Sequence, residues 1–477
     1  MNIPSEATDR QKPLKRQLSS SLKYLFLSQI MSAKQALLIT SIFLLSLCLE
    51  GVAAQRSSKI IRAKRNVVLK GFYFVSVVES EDISSVIKEL TDKERNGSFP
   101  PGFKMEIHGN ASEVAHGFFA RFSEVALNEI TKNDKVESIF EDHIMKGGSA
   151  LPSPGEEATN VTTSAAANSS TPFTRIVTTW GLDRLDQDSI RYDHHYTTPC
   201  GLTGKGVDVY VLDSGIFYEH KEFQGRASSP GCDPIDQIFN TSKNGADFTG
   251  HGTHVAGTVG GKKFGVAPGV NLFSVRVLDT QNSGSANSLV LGAECVVKSV
   301  ERRKRPSIVN LSIYGDKNLL VKRALDTLMR KGITVIGIAG NSKTKPKNSC
   351  KVGPGSIQGI ITASASTKSD EPLMYSNAGT CVDLYAPGAE ILSASTNCKN
   401  CRSTRQGSSM AAPHVTGAVA LLLEKCPTMK PWRVKYILRS QMTKENKLNF
   451  SRMPRIYQSM TPNLLLHTSS LQCDLEC

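Results

Sequence analysis

The sequence has no apolar run long enough to cross a bilayer. The run Ala36 to Leu49 stops at 14 residues, short of the roughly 17 to 25 that a spanning helix needs, so no stable membrane span is expected. Internal repeats are also lacking, which argues against a solenoid or a propeller. Beyond the N-terminus there is little excess of either charge. Residues 1 to 70 hold 12 Lys and Arg against three acids, leaving a surplus of only five of the net +14 for the other 407 residues. No basic stripe interleaved with aromatics lies there, and a nucleic-acid partner is excluded on that ground. Finally, Cys398-Lys-Asn-Cys401 has no second Cys or His pair close in sequence, so a tight disulfide is expected there rather than a zinc site.

What is there begins with an address. Lys34, the apolar run and the small residues Gly51-Val52-Ala53-Ala54 read as a secretory signal within residues 1–54. Its removal takes Cys48 and leaves ten of the 11 cysteines, an even number that suits an oxidising compartment. Glycan acceptor triplets at Asn96, Asn110, Asn160, Asn168, Asn240 and Asn449 agree with a secreted protein. Asn310-Leu-Ser also matches, but it falls in an apolar stretch read as a buried strand. Arg62-Ala-Lys-Arg65 has the form of a basic processing site.

Residues 66–146 read as a small α+β module: strands at Phe72 to Val78, Lys104 to His108, Phe118 to Phe122 and Val136 to Glu141, helices at Ile83 to Leu90 and Ser123 to Lys132. A Ser, Thr, Ala, Gly and Pro-rich linker is expected over 147–175. From 176 to 466, short apolar strands alternate with helices. They include Val207 to Leu212, Asn271 to Val277, Ile308 to Ile313, Thr334 to Ala339 and Ile360 to Ala365, the pattern of an α/β fold with a doubly wound parallel sheet. Residues 467–477 form a tail.

Three segments carry chemistry. Val209-Tyr-Val-Leu-Asp213-Ser-Gly215 sets an Asp at the C-terminal end of a strand, where parallel sheets expose functional groups. Gly250-His251-Gly-Thr-His254-Val-Ala-Gly257 opens a helix with a His between glycines, and Gly407-Ser408-Ser409-Met-Ala-Ala-Pro413-His414 starts a long apolar helix with Ser. A serine hydroxyl becomes a useful nucleophile only when a His takes its proton and a carboxylate holds the imidazole. The three segments supply all three groups.

Over about Trp180 to Leu465 these strings resemble the subtilisin family of serine proteases, in its proteinase K branch. The resemblance implies a subtilisin-like fold and a serine endopeptidase that needs no cofactor for its chemistry. Asp213 would be its carboxylate, His251 its general base and Ser409 its nucleophile, with His254 and His414 structural. Ala339-Gly340-Asn341 is similar to the family's oxyanion segment, so Asn341 would stabilise the tetrahedral intermediate. Protein or peptide substrates would lie as an added strand between Ser283-Gly284-Ser285 and Ile313-Tyr314-Gly315. Tyr314 stands where the family usually has a small residue, and Ser408 where it usually has Thr.

The α+β module resembles the family's inhibitory propeptide, with Ile139-Phe-Glu-Asp142 as its last strand. This makes the chain's own prosegment an intramolecular partner, released by a cut between His143 and Thr179. Cys381-Val-Asp-Leu-Tyr-Ala-Pro-Gly388, Cys398/Cys401 and Thr461-Pro-Asn-Leu464 further resemble the secreted convertase that regulates the low-density-lipoprotein receptor. That likeness implies disulfides Cys350 to Cys381 and Cys398 to Cys401, and raises a rival reading: a self-cleaving binding protein that stays blocked by its prosegment. The branch also implies a structural calcium at Gln358, Ile360 and Asp383.

Overall fold

The computed structural model describes residues 59–64, 67–148, 172–239, 244–342 and 344–477. The signal segment with Cys48, Arg65, and the acceptor sites Asn160, Asn168 and Asn240 lie outside the described residues, as does most of the 147–175 linker. The chain divides into Met1–Lys59 and Ile60–Cys477. Among the described residues no helix is long and apolar enough to cross a membrane.

The main sheet of the second unit has nine strands, in the order Thr443–Glu445, Leu464–Leu466, Leu384–Pro387, Ile361–Ser366, Thr334–Ile338, Ser307–Asn310, Asp208–Asp213, Asn271–Arg276 and Ala227–Ser228. Every neighbouring pair is parallel except the first. Helices cover both faces, so Asp208–Asp213 is buried along its whole length, and its four middle residues, Val209 to Leu212, read as an apolar run between two aspartates. On one face lie His251–Gly260 and Ser408–Lys425, the latter buried on all sides up to Leu423. On the other lie Ala286–Arg303 and Leu319–Arg330.

The N-terminal module is a second sheet, ordered Ile60–Ile61, Val136–Gly147, Val68–Val77, Gly117–Phe122, Met105–Ala111. Two capped helices lie on one face. Asp82 accepts the Ser85 N–H at 2.7 Å to start Ile83–Arg95, and Ser123 accepts the Ala126 N–H at 3.2 Å to start Glu124–Ile130. Ile83, Val86, Leu90, Leu127 and Ile130 bury against Tyr73, Val75 and Ile139. The opposite face carries Phe74, Phe119 and Phe140, which join one apolar cluster with Leu289, Val296 and Leu325 of the larger module.

Two expected elements differ. The strand expected to end at Glu141 runs on to Gly147, because past Asp142 its backbone finds new partners in Ser283–Ser285 and Ile313–Gly315. The single strand expected over Ile308 to Ile313 is broken. Ser307–Asn310 stays in the main sheet, Asn310 donates its side-chain amide to Ser312 Oγ at 3.0 Å, and Ile313–Gly315 turns away to pair with Val136–Gly147. Asn310 itself is fully buried, its side-chain Oδ1 accepting from Thr416 Oγ1 at 2.8 Å.

Among the described residues, five disulfides join Cys200 to Cys473, Cys232 to Cys295, Cys350 to Cys381, Cys398 to Cys401 and Cys426 to Cys477. The first and last fasten the chain's final residues to the body of the larger module.

Candidate active site

Asp213 ends the strand Asp208–Asp213, and its Oδ1 accepts from His251 Nδ1 at 2.6 Å and from the Ser214 N–H at 2.7 Å. Both side chains are buried. His251 is the first residue of its helix and follows Gly250, whose left-handed φ of 75° provides no capping side chain. Asp247 does that work instead. Its carboxylate accepts the N–H groups of Thr249, Gly250 and Thr253 at 2.9, 3.0 and 2.8 Å, and Ser214 Oγ bridges it to the Gly252 N–H. At Gly252 any side chain would run into the Gly215 carbonyl. Glycine there lets the imidazole approach the strand end.

Ser409 lies in the first turn of Ser408–Lys425. Its Oγ donates to the Ser312 carbonyl at 3.4 Å, while Ser312 Oγ donates back to the Ser409 carbonyl at 3.0 Å. Asn341 follows Gly340, another left-handed residue (φ 83°). Its Oδ1 accepts from the Ser408 N–H at 2.9 Å and from Ser408 Oγ at 3.0 Å. That fixes which way the amide points. Asn341 Nδ2 and His251 Nε2 are both buried without a hydrogen-bond partner in the chain. Donors and proton acceptors left bare in an interior are costly, and are found where a reacting group is to be received.

The strand Val136–Gly147 occupies the space between Ser283–Ser285 and Ile313–Gly315, antiparallel to both. Lys146 lies opposite Ser283 and Tyr314, Met145 opposite Gly284 and Gly315, and Ile144 opposite Ser285. Past the strand, the Gly148 N–H donates to the Ser312 carbonyl at 3.0 Å, which brings Gly148 against Ser409 Oγ. The substrate-flanking segments, Ser409 and Asn341 thus meet at one place, and Asp213 and His251 form a bonded pair at the strand end.

The remaining candidates lie apart from the reacting groups. His254 Nε2 bonds the Ile391 and Ser403 carbonyls, and burial holds its ring well below the usual imidazole range. His414 Nδ1 bonds the Met410 carbonyl, and burial lowers it to about 4. Cys398–Cys401 sits beside the hairpin Ile391–Ala394 and Arg402–Arg405, whose Arg405 donates to the Thr249 carbonyl at 2.9 Å.

Gln358, Ile360 and Asp383 do not fit the calcium that the resemblance implied. Lys435 Nζ stands between them, 2.7 Å from Asp383 Oδ2 and donating to the Ile360 carbonyl at 2.8 Å. Arg439 approaches the other carboxylate oxygen at 3.4 Å, and the Thr362 N–H takes a further lone pair at 2.9 Å. Gln358 is exposed. A divalent ion would have to displace an ammonium and remain beside a guanidinium, with one carboxylate to offset three charges.

Sequence reasoning missed Ser214, Asp247, Ser312 and Lys435. Asp247 had a readable signal, an Asp just before a helix start. Lys435 had none, since its partner lies 52 residues away.

A carboxylate, an imidazole and a hydroxyl drawn from three segments of a doubly wound sheet, with a bare amide beside the hydroxyl, define the class as one with a subtilisin-like fold and site. The Subtilase family model (peptidase S8) matches residues 204–455, more than half of the chain. The chain belongs to the subtilase family. It is 40% identical over 290 residues, 61% of this chain and 66% of the relative, to an extracellular serine proteinase of Thermus sp. (strain Rt41A). It is 33% identical over 71% of this chain and 57% of the relative to alkaline serine exoprotease A of Vibrio alginolyticus. The chain therefore spans just under two thirds of the first of these relatives and less of the second. The crystal structure of a cold adapted subtilisin-like serine proteinase superposes with a TM-score of 0.54 at 36% identity, covering 61% of this chain and 97% of that one.

Proposed function

We propose that the protein is a secreted serine endopeptidase, made as a zymogen that cuts its own chain after Gly148 and then hydrolyses other proteins. The observation that carries this reading is the antiparallel seating of Val136–Gly147 between Ser283–Ser285 and Ile313–Gly315, with Gly148 on Ser409. In the acylation step Ser409 Oγ attacks the carbonyl carbon while its proton passes to His251 Nε2. Asp213, bonded to Nδ1, stabilises the imidazolium that forms. The Asn341 amide and the Ser409 N–H receive the oxyanion. As the C–N bond breaks, His251 returns the proton to the leaving amine. Water then repeats the sequence on the acyl-enzyme, with its proton taken by His251, and frees Ser409. Residues 66–146 act as the prosegment, and the rest of its docking surface supports this. Glu294 accepts from Ser112 Oγ and the N–H groups of Glu113 and Val114 at 3.1, 2.9 and 3.2 Å, and buried Asp142 accepts the Asn287 N–H at 3.1 Å.

A second reading, in which the cut prosegment stays and the protein acts by binding, is favoured by the burial of Phe74, Phe119, Phe140 and Met145 in a cluster shared with the larger module. One experiment separates the two. Wild type and Ser409→Ala are expressed through a secretory pathway, then compared by intact mass, new N-termini and labelling with a fluorophosphonate. For the protease, only wild type loses the prosegment and takes the label. Self-cleavage without labelling supports the blocked binding protein, and identical masses for the two chains refute self-processing.

A further inference from the structure

We propose that Arg405 is a positioning residue for acyl transfer: its guanidinium fastens the turn that delivers His251 to the segment that delivers Ser409. The inference rests on His251 being the base and Ser409 the nucleophile. Arg405 ends the strand Arg402–Arg405, four residues before Ser409. Its Nη2 donates at 2.9 Å to the carbonyl of Thr249, two residues before His251. One side chain therefore spans the entries of both helices. Proton transfer requires Ser409 Oγ and His251 Nε2 to come within hydrogen-bond reach, and small misplacements of such groups are expensive in rate. Arg405 restrains that separation.

Every polar group of Thr249 is engaged in holding this turn. Its N–H is accepted by Asp247 Oδ1 at 2.9 Å, and its hydroxyl donates to Ser214 Oγ at 2.8 Å and accepts the His251 N–H at 3.2 Å. Its carbonyl needs a donor from outside, because Thr249 precedes the N-cap Gly250, whose own carbonyl is the first to be taken up within the helix, by the His254 N–H. Arg405 is that donor. Glycine at 250 makes room for it: a side-chain carbon there would stand 3.0 Å from Arg405 Nη2 and 3.0 Å from Thr396 Oγ1. The charge also has company. Burial lowers the Arg405 guanidinium from its ordinary value, and the attraction of Asp247 and then of Asp213 opposes that. The strand carrying Arg405 is held on the His251 helix at a second point, since His254 Nε2 bonds the Ile391 and Ser403 carbonyls at 2.8 and 3.1 Å. Cys398–Cys401 closes the connection between the two strands of that hairpin.

The test measures the rate of labelling by a fluorophosphonate, and kcat and KM for a peptide p-nitroanilide ending Met-Lys-Gly-Gly. The enzymes are processed wild type, Arg405→Met, Arg405→Lys, Thr249→Val and the double variant Arg405→Met with Thr249→Val. The anilide has no residue beyond the bond cut, so a contact between Arg405 and the leaving side of a substrate cannot register. Arg405→Met should lower labelling and kcat about tenfold with KM within about twofold, the scale of one lost charge-assisted hydrogen bond. Arg405→Lys, which keeps the charge and a donor without the fork, should lose no more than about threefold. Thr249→Val should lose about fivefold to tenfold, and the double variant no more than about twofold beyond the weaker single one, because both loosen the same turn. Labelling unchanged in Arg405→Met, a loss carried by KM alone, or losses that multiply in the double variant overturn the proposal. Should Arg405→Met yield no processed enzyme, Thr249→Val decides: the expected loss upholds the proposal and the wild-type rate overturns it. Wild type that resists the label overturns the protease reading as well, whereas a labelled wild type matched by Arg405→Met overturns this inference alone.

Discussion

Replacing Lys435 by Met removes an ammonium while keeping the length of its stem, and the consequence can be worked from the contacts. Asp383 is 8% exposed and Lys435 25% exposed at a separation of 2.7 Å. Deleting one partner of a fully buried pair costs about 3 to 5 kcal/mol, and an exposed pair is worth about 0 to 1. This pair lies between those limits. Arg439 and the Thr362 N–H remain to hold the carboxylate, but the Ile360 carbonyl loses its charged donor. A loss of about 2 to 3 kcal/mol follows, or a Tm lower by about 4 to 12 °C for a module of this size. The assay is thermal unfolding in a Ser409→Ala background, which prevents self-digestion. The same melt in millimolar calcium and in a chelator adds a second readout. Neither chain should gain stability from calcium through this site, because Arg439 remains beside the single carboxylate. A Tm within about 1 °C of the parent, or a variant stabilised by calcium where the parent is not, would overturn this account of Lys435 and Asp383.

Asn341→Ala should lower kcat about a hundredfold to a thousandfold with little change in KM, because its Nδ2 is bare until the oxyanion forms; steady-state kinetics read this directly, and an unchanged kcat removes Asn341 from the oxyanion site. Glu294→Gln should weaken the processed prosegment's hold by about thirtyfold to a thousandfold, since three donors lose a carboxylate and one meets an amide NH2 instead; prosegment dissociation after self-cleavage is the measurement. His414, neutral down to about 4 when folded against 6.5 as its ordinary value, binds its proton first in the unfolded chain. Its share of stability is therefore complete above 6.5 and is lost as pH falls toward 4, about 3 kcal/mol in all. Burial pushes the Asp142 and Asp186 carboxyls up to about 7, and these act with the opposite sign. The His414 part is thus read as the difference in denaturant stability between wild type and His414→Gln over that range, and equal slopes would refute it.

The order of buried strands and helices was readable because the interior of a strand in a covered parallel sheet is apolar on both faces, as Val209 to Leu212 shows. Asp213, His251 and Ser409 stood out because strand ends and helix starts mark themselves locally. What stayed hidden was set by partners remote in sequence. Val136–Gly147 outran its expected end because its last residues answer to Ser283–Ser285 and Ile313–Gly315, more than 130 residues on. Local pattern had reason to join Ile308 to Ile313 in one strand, since the bond from Asn310 to Ser312 that breaks it is a side-chain affair. The calcium expectation failed in the same way: Asp383 looks like a lone ligand until a helix 52 residues further on supplies the ammonium.

The cysteines divide the chain by how its pieces can part. All ten bonded cysteines fall between Cys200 and Cys477, and none lies from 49 to 199. A prosegment cut free therefore has no covalent tie and runs as a separate band without any reductant. A nick between Cys200 and Cys473 leaves both fragments linked through that bond, and the particle keeps its full mass until thiol is added. Paired gels with and without reductant thus distinguish maturation from damage.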